Sequence, residues 1–114
     1  MGFEVFTASV EAGDGATTKI ALSGELDLET VPILEEYLVR VESDGARAIV
    51  VDLQELTFIG TVGLRAFLAA RARAEANGRQ LLLVGANPPV RRVFELTGKE
   101  SLLDGENVAS VLQR

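Results

Sequence analysis

Residues 56–68 read LTFIGTVGLRAFL, and this stretch decides the fold because an apolar strand end leads through a glycine-flanked threonine into an amphipathic helix. The order predicts that Thr61 lies on a sharp turn between a strand and a helix. A hydroxyl at that position can accept a hydrogen bond from the first free backbone N–H groups of the helix, as an N-cap. If phosphorylated, it would place negative charge at the positive end of the helix dipole. The stretch alone leaves both roles of Thr61 open.

The composition limits the kinds of site that the chain offers. With 114 residues, 47% of them hydrophobic, we expect one domain that spans residues 1–114. The chain has no cysteine and no histidine, which removes the thiol nucleophile, the commonest general base and the usual zinc ligands. It also lacks a glycine-rich phosphate loop that ends in lysine. We therefore expect no enzyme activity, no catalytic residue, no metal and no cofactor.

The net charge of −6 argues against a nucleic-acid surface, which needs clustered basic residues. The charge is unevenly spread along the chain. Residues 1–57 hold twelve acidic and three basic side chains, whereas residues 58–114 hold five acidic and eight basic ones. This distribution fits either an ordinary solvated surface or the electrostatic steering of a protein partner.

The chain carries no recognisable targeting signal. Residues 1–4 lack the basic character of a secretory leader, and no apolar run is long enough to span a membrane. We therefore expect a cytoplasmic protein without direct membrane insertion.

Hydrophobic periodicity and turn residues predict alternating strands and helices. Four strands are expected, at residues 3–10, 18–22, 48–53 and 81–84. A turn at 11–16, with Gly-Asp-Gly at 13–15, is expected to join the first two strands, and residues 23–27 are expected to end the second. Four helices are expected, the first ending at 43–45 and the others at 62–76, 88–98 and 107–113, with a short apolar piece at 101–103. Asp27 or Thr30 is the expected cap of the first helix.

The second predicted helix has a distinct inner and outer face. We expect Leu64, Phe67, Leu68 and Ala72 to face inward and Arg65, Arg71 and Arg73 to face outward. Helices that join apolar strands imply right-handed crossovers and a mostly parallel sheet, with the N-terminal hairpin at one side. The predicted fold class is therefore α/β.

Ligands of such sheets bind beyond the carboxyl ends of the strands, and Thr61 falls at one such end. Asp52 and Glu55 could form a carboxylate pair with Glu25 or Asp27. No spacing requires that pair, so solvated loop carboxylates are the favoured interpretation of these residues.

Four segments together resemble a STAS domain of the anti-sigma factor antagonist type. They are LSGELD at 22–27, VVDL at 50–53, LTFIGTVGL at 56–64 and PVRRVFELTG at 89–98. The resemblance covers nearly the whole chain and implies a STAS-type fold, with a mixed, mostly parallel sheet of four to five strands and about four helices. It also implies partner switching: the unphosphorylated antagonist binds an anti-sigma factor, an ATPase-fold serine/threonine kinase, and frees a sigma factor for transcription. Phosphorylation by that kinase reverses the switch, and a phosphatase resets it.

The resemblance assigns roles to residues of the turn. In the family an aspartate precedes the hydroxyl that takes the phosphate, so Gly60 stands at the aspartate, Thr61 at the acceptor, Val62 at the next small residue and Gly63 at the glycine. Thr61 is thus the implied phosphorylation site. The implied partner-binding residues are Gly24, Glu25, Asp27, Phe58, Gly60, Thr61, Val62, Gly63 and Arg65. Glycine at position 60 could allow close approach of a partner or satisfy a positive φ.

Three hypotheses follow for the function. The first is an anti-sigma factor antagonist controlled by phosphorylation at Thr61. The alternative is a STAS scaffold subunit of a membrane transporter or lipid-trafficking complex, for which no phosphorylation is needed and which gains support from Gly60. A small nucleotide-binding or hydrolytic protein is the third, and it lacks a phosphate cradle.

Overall fold

A computed structural model describes residues 5–12 and 16–104. Its elements follow in the order β1 Thr7–Ala12, β2 Thr17–Leu26, α1 Val31–Ser43, β3 Ala48–Ile59, α2 Thr61–Ala76, β4 Gln80–Val84, α3 Pro88–Leu96 and a 3₁₀ turn at Glu100–Leu102. Residues 13–15 of the predicted turn, the start of the first strand at 3–4 and the predicted helix at 107–113 lie outside the described residues. Glu11 and Ala12, predicted as part of the turn, belong to β1.

The four described strands form one sheet in the order β1-β2-β3-β4. β1 and β2 pair antiparallel, whereas β2 with β3 and β3 with β4 pair in parallel. This arrangement confirms the predicted α/β class and the mixed, mostly parallel sheet. The described ranges hold three α-helices, and an isolated parallel bridge joins Leu83 to Leu103 beyond β4.

The predicted break of the second strand at residues 23–27 is wrong, because β2 continues through this segment to Leu26. The register with β3 shifts on either side of Gly24, which has a φ of 89°. A Cβ at Gly24 would lie 2.8 Å from the carbonyl oxygen of Val5. At both shifts the extra residue lies on β3. Glycine lets β2 pass directly under the backbone of residues 5 and 6 and continue, instead of ending. β3 is also longer than predicted and extends to Ile59.

The inner face of α2 differs from the prediction. Leu64 and Phe67 are buried as expected, but Leu68 and Ala72 are exposed. Small residues complete the buried face, namely Gly63, Ala66, Ala70 and Ala74. α2 packs against β4 and α1, and small side chains allow this close approach. The prediction placed large apolar side chains on the inner face of α2. The close packing of α2 against β4 and α1 instead favours glycine and alanine at most of these positions.

Arg71 does not face outward as predicted. Its half-buried guanidinium donates to the carbonyl oxygen of Leu81 at 3.0 Å and forms an ion pair with Asp104. The same carboxylate of Asp104 accepts a hydrogen bond from the amide of Leu83 at 2.8 Å. Asp104 and Arg71 together satisfy polar groups along the outer side of β4, which would otherwise be an open edge.

A second ion pair joins the two long helices. Arg73 of α2 faces outward as predicted, and its Nη2 donates to Oε2 of Glu42 in α1 at 3.0 Å. The hydrogen bonds from Arg73 to Glu42 raise the pKa of Arg73 above its ordinary value, although partial burial acts to lower it. Within the described ranges, none of the helices is long and apolar enough to cross a membrane.

Candidate functional site

The carboxyl ends of β2 and β3 lie side by side and bring two loops together. Glu25 pairs with Phe58, and Leu26 pairs with Ile59, in the parallel register. The amide of Gly60 then donates to the carbonyl oxygen of Leu26 at 2.9 Å. The segment 24–27 therefore lies next to the turn that carries Thr61, at the edge of the sheet where α/β proteins place their sites.

Thr61 does not cap α2, so one of the two roles that the sequence leaves open for it is excluded. Gly60 occupies the N-cap position, and its carbonyl oxygen accepts hydrogen bonds from the amides of Gly63 at 3.0 Å and Leu64 at 3.2 Å. Thr61 is the first helical residue and is exposed, and no side chain caps this helix start. The hydroxyl of Thr61 is therefore presented to solvent without a capping role.

Gly60 has an extended backbone conformation, with φ of −90° and ψ of 173°, so a positive φ, one of the two possibilities considered for this glycine, does not apply. A Cβ at this position would meet the ring of Phe58 at 3.5 Å, an ordinary contact distance. Any residue can adopt this conformation and fit this space. The backbone therefore does not require glycine in place of the family's aspartate.

Two other glycines of the predicted surface are buried. A Cβ at Gly63 would lie 2.9 Å from side-chain atoms of both Ile59 and Leu26, so this glycine sets how closely α2 packs on the strand ends. Gly24 lies under the backbone of residues 5 and 6, as described above. Both glycines shape the site from within, and their neighbours form its surface.

Hydrogen bonds hold the turn between β2 and α1. Oδ1 of Asp27 accepts from the amides of Glu29 at 3.1 Å and Thr30 at 3.2 Å. The hydroxyl of Thr30 donates to the carbonyl oxygen of Glu25 at 2.8 Å and accepts from the amide of Asp27 at 2.9 Å. Thr30 stands at the N-cap position of α1, although its side chain makes no capping bond. Asp27 and Thr30 thus stabilise the turn ahead of the helix.

The surface around Thr61 combines charged and apolar side chains. Glu25, Thr61 and Arg65 are exposed, and Asp27, Gly60 and Val62 are half-buried. Phe58 is 48% exposed, and Leu28 is 74% exposed on the turn held by Asp27 and Thr30. The sequence interpretation missed Leu28, whose one signal is an apolar side chain among the polar residues of positions 27–30. Exposed apolar groups that lie among charged ones are typical of protein-binding surfaces.

Of the carboxylates considered for a paired site, Asp52 and Glu55 lie on β3 and Glu25 on β2, whereas Asp27 lies in the turn after β2. Asp52 lies on β3, where its Oδ2 is 3.5 Å from Nζ of Lys19 and its Oδ1 accepts from the amide of Gln54 at 3.0 Å. Glu55 is exposed on the same strand. In the part of the chain that the structure describes, no group of three or more acidic side chains is placed to hold a metal ion.

Comparisons with known proteins bear on this arrangement. Residues 9–104 match the family model described as "Mlab, STAS domain". An anti-sigma-B factor antagonist from Staphylococcus aureus is 34% identical over 85 residues, which cover 75% of this chain and 79% of that protein. An anti-sigma factor antagonist from Mycobacterium paratuberculosis has a crystal structure that matches with a TM-score of 0.81 and 28% identity, over 96% of each chain.

The fold agrees with a third protein. The unphosphorylated form of the anti-sigma factor antagonist SpoIIAA matches with a TM-score of 0.76 and 24% identity, over 92% of this chain and 93% of that one. The family model spans both segments of the candidate site, residues 24–27 and the Thr61 turn. The chain belongs to the STAS-domain family, together with these anti-sigma factor antagonists.

Proposed function

We propose that the chain is an anti-sigma factor antagonist, a regulatory protein that binds an anti-sigma factor and so releases a sigma factor. The names of the relatives support this role, and the 34% identity to the Staphylococcus aureus protein extends over three quarters of the chain. The acidic net charge and the mixed surface beside Thr61 favour a protein ligand over a nucleic acid. The protein therefore regulates transcription without contacting DNA.

The proposed binding surface comprises residues 24–27 at the end of β2, the Thr61 turn and the exposed face of α2. Glu25, Asp27, Phe58 and Arg65 supply its contacting side chains, and Leu28 adds an apolar contact. Gly24 and Gly63 act from beneath by setting the shape of the strand ends. The pairing of Leu26 with Ile59 keeps the two loops in fixed relative positions, so that little ordering is needed on binding.

The observation that carries the proposed control is the exposed hydroxyl of Thr61 at the first position of α2. The anti-sigma factor is proposed to be an ATPase-fold serine/threonine kinase. It transfers the γ-phosphoryl group of ATP to the Thr61 oxygen, which loses its proton, and ADP leaves. The modification adds about −1.5 to −2 charges at the surface that the partner covers. A phosphatase restores the hydroxyl by hydrolysis.

The chain itself is proposed to have no enzymatic activity. It has neither histidine nor cysteine, and Asp52 on the central strand is engaged with Lys19. The purified protein should neither hydrolyse nucleotides nor turn over esters, and chelators should leave its stability unchanged. Steady turnover by a preparation free of kinase, lost on changing Thr61, would contradict this assignment.

The second candidate function is a scaffold subunit of a membrane transporter or lipid-trafficking complex. The specific observation in its favour is Gly60. This glycine leaves Thr61 without an acidic side chain directly before it, although the backbone at position 60 would accommodate other residues. The candidate site would then be a permanent interface, and modification of Thr61 would not be needed.

The two functions are separated by identifying and reconstituting the partner. Affinity capture of the tagged chain should recover an ATPase-fold kinase, and calorimetry with that purified kinase should give one-to-one binding. Arg65→Glu should weaken binding by about tenfold or more, whereas Arg91→Glu, an exposed change on α3, should leave it unchanged. Recovery of a transporter subunit without any kinase would favour the scaffold.

A further inference from the structure

We propose that Arg65 is the cation that pairs with a phosphate on Thr61 within the same helix. The inference rests on the proposed function, since it concerns how the modified site is regulated. It assigns Arg65 two states, one available to the partner and one engaged by the phosphate.

Position on the helix brings the two side chains together. Thr61 is the first residue of α2, and Arg65 follows four residues later in the same continuous helix. Residues four apart lie on one face with Cβ atoms roughly 5–6 Å apart, within reach of a guanidinium and a phosphate. Both side chains are exposed, so neither must leave the core to meet the other.

The charges of α2 leave Arg65 available. Of the three arginines in this helix, Arg71 is paired with Asp104 and Arg73 with Glu42. For Arg65, the described ranges 5–12 and 16–104 hold no carboxylate oxygen within 4.0 Å. It is therefore the arginine of α2 that can turn to a new anion without breaking an existing pair.

The surroundings of Thr61 make such a cation necessary. Glu25 and Asp27, on the loop tied to Gly60 through Leu26, bring negative charge to the same end of the sheet. Gly60, directly before Thr61, contributes no charge. Position 60 thus adds no repulsion to a phosphate on Thr61, and Arg65 supplies attraction.

This pairing changes what phosphorylation does to the surface. Before modification, Arg65 is free to meet an acidic group of the partner. After modification, its guanidinium is drawn to the phosphate, so the partner meets a new anion and also loses a cation. The new anion and the lost cation both weaken binding of the anti-sigma factor. In the unbound protein, Arg65 partly neutralises the phosphate.

The test uses the isolated protein with phosphothreonine incorporated at position 61 during translation. Titration followed by ³¹P NMR gives the second pKa of the phosphate, which is about 6 without neighbours. Arg65→Gln should raise this pKa by roughly 0.2–0.4 at low salt relative to the unsubstituted phosphoprotein. Arg65→Lys should raise it less, and Arg91→Gln on α3 should leave it unchanged. High salt should remove most of the difference.

Equal phosphate pKa values in the Arg65→Gln and Arg91→Gln phosphoproteins would overturn the proposal. Circular dichroism of each variant establishes that the compared proteins are folded. The titration requires neither kinase nor partner, so its failure is distinct from a failure of the proposed function. A normal partner switch with no effect of Arg65 on the phosphate would reject only the pairing.

Discussion

The amide of Gly60 donates a 2.9 Å hydrogen bond to the carbonyl oxygen of Leu26, and this bond joins the two loops of the candidate site. Gly60 directly precedes Thr61, and Leu26 directly precedes Asp27. The bond extends the parallel pairing of β2 and β3 one step beyond the last strand residues. A partner that contacts Thr61 therefore also meets the loop at 24–27.

The two glycines that flank Thr61 and Val62 should respond differently to alanine. Gly63→Ala should destabilise the protein by about 1 kcal/mol or more, because the new Cβ would lie 2.9 Å from Ile59 and Leu26 and outweigh the gain in helix propensity. Gly60→Ala should change stability by less than about 0.5 kcal/mol, since its backbone is extended and its nearest contact would be 3.5 Å. Urea unfolding of both variants checks the difference, and equal losses would contradict the packing role of Gly63.

Gly60→Asp should stabilise the protein by a few tenths of a kcal/mol, because a carboxylate at the N-cap can accept from the free amides of the first turn of α2. The extended conformation at position 60 leaves room for it. The thermal midpoint, compared with that of Gly60→Asn, separates the capping bond from the added charge. A clear loss of stability in both variants would mean that glycine is required at the turn.

The charge and the hydrogen bonds of Asp27 can be separated by two substitutions. Asp27→Ala should cost about 1 kcal/mol of stability, because Oδ1 accepts from two amides of the following turn. Asp27→Asn keeps an acceptor oxygen and should stay close to the original stability, yet bind the anti-sigma factor more weakly through the lost charge. Urea unfolding gives the stability of each variant, and calorimetry on the same samples gives its affinity for the anti-sigma factor. Unchanged binding by the folded asparagine variant would limit Asp27 to a structural role.

The strand pattern of β3 shows why the sequence predicted only part of the fold. Its first half is a near-continuous apolar run, which predicts a central strand at residues 48–53. The second half of β3 alternates differently, with Gln54, Glu55 and Thr57 exposed, and is held as a strand by its pairing with the end of β2. That pairing depends on Gly24 and its contact with residues 5 and 6, which no local pattern contains.

The turn that carries Thr61 was predictable in its position, whereas its hydrogen bonds were not. A threonine between glycines, at the junction of a strand and a helix, indicated the turn correctly. The helix begins one residue earlier than expected, so Gly60 takes the N-cap and Thr61 is left free. Such shifts depend on backbone conformation and lie within the usual uncertainty of helix ends. The exposure of Leu28 follows from the hydrogen-bonded turn beneath it and needs the three-dimensional structure.

Leu28 should contribute to partner binding without contributing to stability. It is 74% exposed beside the site, and Leu96 is 72% exposed at the end of α3. Leu28→Ser should weaken binding of the anti-sigma factor about tenfold or more, while Leu96→Ser leaves it unchanged. Both variants should keep the original thermal midpoint within the error of surface substitutions. Equal binding by the two variants would exclude Leu28 from the interface.

Phosphorylation of Thr61 tests the central claim most directly. The chain is incubated with the proposed anti-sigma kinase and ATP, and the modified residue is mapped by mass spectrometry. Binding is measured for the original protein, its phosphorylated form, Thr61→Ala and Thr61→Glu. Thr57→Ala, at an exposed threonine of β3, is the control. We predict phosphate on Thr61 alone, retained binding for both alanine variants, weaker binding for Thr61→Glu, and a loss of roughly a hundredfold or more for the phosphorylated protein. No phosphate on Thr61, together with equal binding by the unmodified protein, Thr61→Ala and Thr61→Glu, would contradict the switch and favour a constitutive scaffold.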